Sequence, residues 1–175
     1  FKLPGQERVY RDWSWTKDNS GGQGEVDLNR AIYRSSNVYF YDLASRMEIR
    51  GLLGFAGQFG FGKNLAIDIP EASSGLLPTP EWKRSAKNQP WYPGDSVNLG
   101  IGQGDLLATP LQMATVAATI ANRGRVVRPR MLLSSDVSID EMSRVEEPLP
   151  VVGLSEEDWE SMVDSMEDVV HRGGK

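Results

Sequence analysis

A chain of 175 residues, 39% hydrophobic and 25% charged, can bury a core and has room for one domain or most of one. Its net charge of −5, with the basic residues scattered, argues against nucleic-acid binding. With no cysteine and a single histidine, His171, the chain offers no disulfide, no thiolate nucleophile, no histidine metal cluster and no Ser-His-Asp triad of its own. Any acyl-transfer chemistry here must use a base other than histidine.

In chain order, residues 1–15 read as strand and turn. The break is at Pro4-Gly5, and Val9-Tyr10-Arg11-Asp12-Trp13 has the mixture of a half-buried strand. Neither this start nor any later stretch has the apolar length of a signal peptide or of a membrane span, which needs ~18 residues. Residues 16–24 are polar and glycine-rich, a loop. Asp27 is placed to cap a helix carrying Leu28, Ala31 and Ile32 on one face. Val38, Tyr41, Leu43, Ala44 and Met47 continue an apolar surface at helical spacing, so they predict a core helix. A third helix over 50–59 ends in Gly60-Phe61-Gly62-Lys63, where glycine stops it.

Residues 65–70 read as a short strand closed by Pro70, and 71–95 as a long irregular stretch pinned by Trp82, Trp91 and Tyr92. Gly100-Ile101-Gly102-Gln103-Gly104 lacks the spacing of a phosphate-cradling loop, and a tight backbone crossing is the better account. Thr109-Pro110-Leu111-Gln112 is a capping box with proline at the first helical position. The helix it opens, 110–122, is apolar around most of its circumference and is expected to be deeply buried. Gly124 ends it. Residues 125–133 and 145–152 read as strands. Ser155-Glu156-Glu157-Asp158 caps a last amphipathic helix with Trp159, Met162, Val163, Met166, Val169 and Val170 on its core face.

Between the first two helices lies Ser35-Ser36-Asn37. Two readings fit this triplet. One is a cap, with Asn37 accepting from the free N–H groups of the helix that follows. The other is a catalytic Ser-x-Asn element, in which a hydroxyl relays a proton and a carboxamide orients a substrate.

The run from Arg34 to Ala44 closely resembles the middle motif of class B penicillin-binding proteins. So do Phe59-Gly60-Phe61-Gly62, Ile67-Asp68-Ile69-Pro70-Glu71, Gly75-Leu76-Leu77-Pro78, Gly94-Asp95-Ser96-Val97-Asn98, the Gly100–Gly104 run and Thr109-Pro110-Leu111-Gln112-Met113-Ala114. They stand in the family's order over most of 3–130. Leu3-Pro4-Gly5, Tyr10-Arg11-Asp12-Trp13 and the Trp82/Trp91 stretch look most like the elongation-type branch, with septal class B enzymes next.

The resemblance implies an α/β mixed fold. It would be the central portion, 1–175, of a single transpeptidase domain of the penicillin-binding protein and serine β-lactamase type, a helical core plus an antiparallel sheet, incomplete at both ends. Of the family's three elements, Ser-x-x-Lys, Ser-x-Asn and Lys-Ser/Thr-Gly, only the second is expected here. Phe1-Lys2 is not read as the tail of the first, because Pro4-Gly5 breaks the helix it would need. By resemblance, a serine and lysine outside the chain attack the D-Ala-D-Ala carbonyl of a peptidoglycan stem peptide. Ser35 would pass a proton to the leaving amine, Asn37 would hydrogen-bond the donor peptide, and Ser36 would only pack.

The same resemblance implies acylation by β-lactams, no cofactor or metal, and no nucleic-acid partner. It also implies a place on the periplasmic face of the bacterial inner membrane, an anchor outside the chain, and association with a SEDS-type glycan polymerase and the elongation machinery. The isolated chain is expected to be inactive. Two further readings stay open: a non-catalytic penicillin-binding sensor or scaffold, and a hydrolase of the same fold. The block from Gly100 to Gln112 speaks against the hydrolase.

Overall fold

The computed structural model describes residues 1–17, 21–65, 71–127, 129 and 150–172. Their regular structure is helical: α1 (Trp13–Lys17), α2 (Leu28–Tyr33), α3 (Asn37–Arg46), α4 (Ile49–Gln58), α5 (Pro80–Lys87), α6 (Pro93–Leu99), α7 (Pro110–Ala121) and α8 (Glu156–His171). Among the described residues, strand pairing is limited to three antiparallel bridges: Lys2 with Val9, Leu76 with Leu107, and Arg125 with Pro150. Most of the strands expected over 65–70, 125–133 and 145–152 fall outside the described residues. The half-buried strand expected over 9–13 is shorter than anticipated. Val9 bridges Lys2 and Tyr10 exchanges backbone bonds with Phe1, and Asp12 ends the segment by accepting the Ser14 N–H at 3.2 Å, so α1 starts at Trp13.

The chain divides into two compact units. The first comprises Phe1–Leu53, Pro78–Leu106 and Ser161–Lys175. Its core joins Leu3, Tyr10, Tyr41 and Val97, with Phe1, Val38 and Ile101 packed around them. Each fully buried side chain of this kind contributes roughly 1.5–3 kcal/mol. The Tyr10 and Tyr41 rings meet at 5.2 Å, tying the amino-terminal segment to α3. Asp27 caps α2 as expected, its carboxylate accepting the Arg30 N–H at 2.7 Å.

The stretch 71–95, read as irregular, instead contains α5. Thr79 accepts the Trp82 N–H at 3.0 Å, Pro80 takes the first helical position, and Asn88 closes the helix at φ +53°. Lys83, a buried residue at 4% exposure, pairs its ammonium with Asp95 on α6 and holds it 4.7 Å from the Tyr92 ring centroid. Trp91 donates to the Ser96 hydroxyl at 2.9 Å, so the aromatics here do pin the chain down.

The second unit comprises Gly54–Leu77 and Leu107–Glu160. Phe59, Val151 and Trp159 form its apolar centre, and Phe55, Phe61, Val116 and Ile120 pack against it. Gly124, at φ +84°, passes so close to the Trp159 indole that a Cβ there would lie 2.5 Å from the ring. The capping box at Thr109 is present as read. The burial of α7 is not. Its buried residues are Gln112, Thr115 and Thr119, while Met113, Ala114 and Ala117 are exposed.

The polar side of α7 is tolerated because every buried group finds a partner. Thr115 and Thr119 return their hydroxyls to the carbonyls one turn earlier, at 2.9 and 2.8 Å. The Gln112 carboxamide accepts from the Thr109 N–H and donates to the carbonyls of Gly60, Lys63 and Ser74 at 3.1, 3.0 and 2.8 Å. α8 also departs from expectation. Trp159 is buried as read, but Met166, Val169 and Val170 are exposed while the polar Ser165 is buried.

Candidate functional site

The Ser35-Ser36-Asn37 triplet is a sharp helix–helix junction within the first unit. Arg34 is the last αR residue of α2. Ser35 then takes φ +52°, donating its N–H to Ile32 O at 3.0 Å, while the Ser36 N–H reaches Ala31 O at 2.8 Å. This is the helix-terminating turn in which glycine is the usual residue. A serine in that left-handed region costs about 1–2 kcal/mol.

Ser36 is extended, at φ −81° and ψ 100°, and occupies the N-cap of α3, so Asn37 is already in the helix. This corrects the reading of Asn37 as the cap: the chain turns one residue earlier. It also changes the account of Ser36. Serine at an N-cap ordinarily accepts from the first turn of its helix, yet Ser36 makes no such bond. Its side chain is buried, and its hydroxyl donates to Asp12 Oδ2 at 3.2 Å.

Asp12 is itself 8% exposed. Its second oxygen accepts from the Ser14 hydroxyl at 2.6 Å and the Ser14 N–H at 3.2 Å, and Oδ2 also accepts from Gln23 Nε2 at 3.2 Å. Next to it, Trp13 Nε1 donates to Arg34 O at 3.0 Å, and the Arg34 guanidinium lies 5.4 Å from the Trp13 ring centroid.

The far wall comes from the end of α6. Gly100 closes that helix against α3, and a Cβ on it would fall 2.4 Å from Ala44 Cβ and 3.2 Å from Phe40 O. This is the tight crossing expected of the glycine run. The N–H groups of Ile101, Gly102 and Gln103 bond to Leu99 and Asn98 carbonyls, so they are not turned outward as an anion cradle would require. Between the walls lies an open cleft of about 330 Å³ lined by Ile32, Ser35, Asn37, Phe40, Gly100 and Ile101. Ser35 is exposed and Asn37 partly buried. Among the described residues neither side chain is engaged in a hydrogen bond. One hydroxyl and one carboxamide, two residues apart, thus share a wall and are available to a ligand.

Behind that wall, burial pushes the Tyr41 phenol up, with the Arg8 guanidinium acting against it, so Tyr41 serves as neutral packing. Among the described residues no group of three or more His, Asp or Glu side chains is placed to hold a metal ion, and no helix is long and apolar enough to cross a membrane. The two candidate residues read from sequence line one cleft. Sequence reasoning did not find Asp12 as the partner of Ser36, nor Phe40, Gly100 and Ile101 as the lining. The one signal for Asp12 was its place in the Tyr10-Arg11-Asp12-Trp13 run.

The penicillin binding protein transpeptidase domain model matches residues 2–175. The peptidoglycan D,D-transpeptidase MrdA of Acinetobacter baumannii is 37% identical over 175 residues, covering 99% of this chain and 25% of that protein. Among solved structures, penicillin-binding protein 2 of Pseudomonas aeruginosa matches with a TM-score of 0.86 at 38% identity, over 99% of this chain and 38% of that one. Penicillin-binding protein 2 of Helicobacter pylori, solved in complex with MreC, matches with a TM-score of 0.70 at 27% identity, over 95% of this chain and 28% of that one. The chain therefore spans about a quarter of the length of the Acinetobacter relative.

Proposed function

Because this chain belongs to the penicillin-binding protein transpeptidase domain family, we propose that it is the central portion of one transpeptidase domain in an elongation-type peptidoglycan D,D-transpeptidase. Its cleft contributes the Ser-x-Asn side of the active site. The observation that carries this reading is the joint presence of the Ser35 hydroxyl and the Asn37 carboxamide on one open wall. The nucleophilic serine, its lysine base and the Lys-Ser/Thr-Gly strand are supplied by polypeptide beyond this chain.

In the complete site that serine attacks the penultimate D-Ala carbonyl of a stem peptide, and the lysine accepts its proton. Backbone N–H groups stabilise the oxyanion. As the tetrahedral intermediate collapses, the C–N bond breaks and terminal D-Ala leaves as an amine. Ser35 hands it the proton and is reprotonated from the lysine. Asn37 donates to the donor-peptide backbone and holds the scissile carbonyl in register. The amine of a second stem peptide then attacks the ester, forming the cross-link and releasing the serine. A β-lactam enters the same first step and stays as the acyl-enzyme. The scheme needs no cofactor or metal.

The site faces the periplasm at the inner membrane, with the anchor in another part of the protein. Its partners are a SEDS-type glycan polymerase and the elongation machinery, and the Helicobacter relative solved with MreC supports the second of these. The test is labelling by fluorescent penicillin. The intact protein is expected to label in a denaturation-resistant way, and Ser35→Ala to acylate at least tenfold more slowly with its fold retained. Stoichiometric labelling of the 175-residue chain alone, or an unchanged rate in Ser35→Ala, would overturn the proposal.

A further inference from the structure

We infer that Asp12 and Trp13 form a positioning clamp that holds Ser35 in its strained conformation and so sets the geometry of the Ser35/Asn37 wall; the inference rests on the functional reading above. The two neighbouring residues seize the chain on both sides of Ser35. Trp13 Nε1 holds the Arg34 carbonyl at 3.0 Å, immediately before it, and Asp12 Oδ2 holds the Ser36 hydroxyl at 3.2 Å, immediately after it. A non-glycine residue at φ +52° persists only where its surroundings over-determine it, and these two bonds supply that constraint from more than twenty residues upstream.

Three further features show that the clamp is built for this junction. Ser36 forgoes the cap bond its position favours and turns its hydroxyl inward, where it is 2% exposed. Ser35 and Asn37, on either side of it, line the cleft instead. Asp12 in turn is fixed by three donors besides Ser36, two from Ser14 and one from Gln23, so its carboxylate is a rigid point rather than a mobile acceptor. Trp13 is fixed by the start of α1 and by the Arg34 guanidinium against its ring. Neither residue lines the cleft; Trp13 acts through the Arg34 carbonyl and Asp12 through the Ser36 hydroxyl.

The test uses the intact protein and β-lactam acylation, separating the non-covalent dissociation constant from the first-order acylation constant. Trp13→Phe removes the indole N–H donor while leaving an aromatic ring, and Ser36→Ala removes one hydroxyl. Each is expected to lower the first-order constant about tenfold or more, since displacements of about 1 Å can cost up to 10²-fold, and to change the dissociation constant less than threefold. Asp12→Ala is expected to match or exceed Ser36→Ala, the double variant to be no slower than Asp12→Ala alone, and Asp12→Asn, which can still bridge to Ser36, to recover most of the loss. If Asp12→Ala fails to fold, the two single-donor variants decide the matter. Wild-type acylation constants in Trp13→Phe and Ser36→Ala, or fully additive losses in the double variant, would overturn the clamp. Ser35→Ala run alongside separates the two ideas. A slow Ser35→Ala beside fast Trp13→Phe and Ser36→Ala removes the clamp and leaves the site, whereas a fast Ser35→Ala removes the site itself.

Discussion

Replacing Ser35 by glycine should make the protein more stable and less reactive at once. Serine at φ +52° carries a left-handed penalty of about 1–2 kcal/mol, which glycine relieves. Glycine in turn loses about 0.5–1 kcal/mol more backbone entropy on folding. Taking the middle of both ranges, the net gain is about 0.75 kcal/mol. The exposed Ser35 hydroxyl makes no internal bond among the described residues, so little is lost by removing it. For a domain of this size that is a rise in Tm of about 1–4 °C, measured by thermal unfolding of the intact protein. If the hydroxyl relays the proton to the leaving amine, acylation by fluorescent penicillin should fall about 10²-fold or more. Ser35→Ala keeps the Cβ in the strained turn, so it should lose the rate without gaining the stability. A Ser35→Gly variant that melts lower than its parent, or acylates within twofold of it, would refute the reasoning.

Other perturbations read other parts of the molecule. Gly100→Ala would place a Cβ 2.4 Å from Ala44 Cβ, forcing the end of α6 away from α3; a loss of acylation of about tenfold is expected, with recovery in Gly100→Ala/Ala44→Gly, and no rescue would count against steric displacement as the cause. Lys83→Ala strands the Asp95 carboxylate and should cost about 3 kcal/mol in chemical unfolding, whereas Lys83→Met should cost much less. Gln112→Ala removes the donor shared by the carbonyls of Gly60, Lys63 and Ser74, of which Gly60 keeps the Lys63 N–H, and should cost about 3 kcal/mol.

The last prediction concerns pH. The Ser155 N–H, and then its hydroxyl, hold the Asp158 carboxyl below its ordinary value. A depressed carboxylate stabilises the fold above its unfolded pKa of about 3.9, and that contribution is lost as pH falls through the lower folded value. The Tm difference between the parent and Asp158→Asn should therefore be full near neutrality and vanish as pH falls below the unfolded value and through the lower folded one; a difference independent of pH would refute the assignment.

Local signals in this sequence translated well where the deciding chemistry is local. Asp27 before Leu28, and Thr109 through Gln112, name their own helix starts, and both caps are present. Thr79-Pro80-Glu81-Trp82 carries much the same grammar, a threonine cap followed by proline. Its prolines and tryptophans made the stretch look irregular, so α5 was missed. The face of α7 was misjudged for a different reason. Periodicity counts methyl groups, but which side is buried was decided by a carboxamide meeting three loop carbonyls, a tertiary event no window can sense. At the site, Ser35 and Asn37 were legible through their short motif and its resemblance. The bond between Ser36 and Asp12 spans 24 residues and leaves no local trace. Much of the expected sheet belongs to residues that the structure does not describe.

The Gln112 carboxamide has a consequence for how this unit comes apart. One side chain on α7 is the common tether of two peptide segments, around Gly60–Lys63 and at Ser74. Such segments cannot fray independently while the helix stays intact, nor remain ordered once its first turn opens. Their amides should therefore exchange with solvent as one cooperative block together with Thr109 and Gln112, a single unlocking event in place of several small ones.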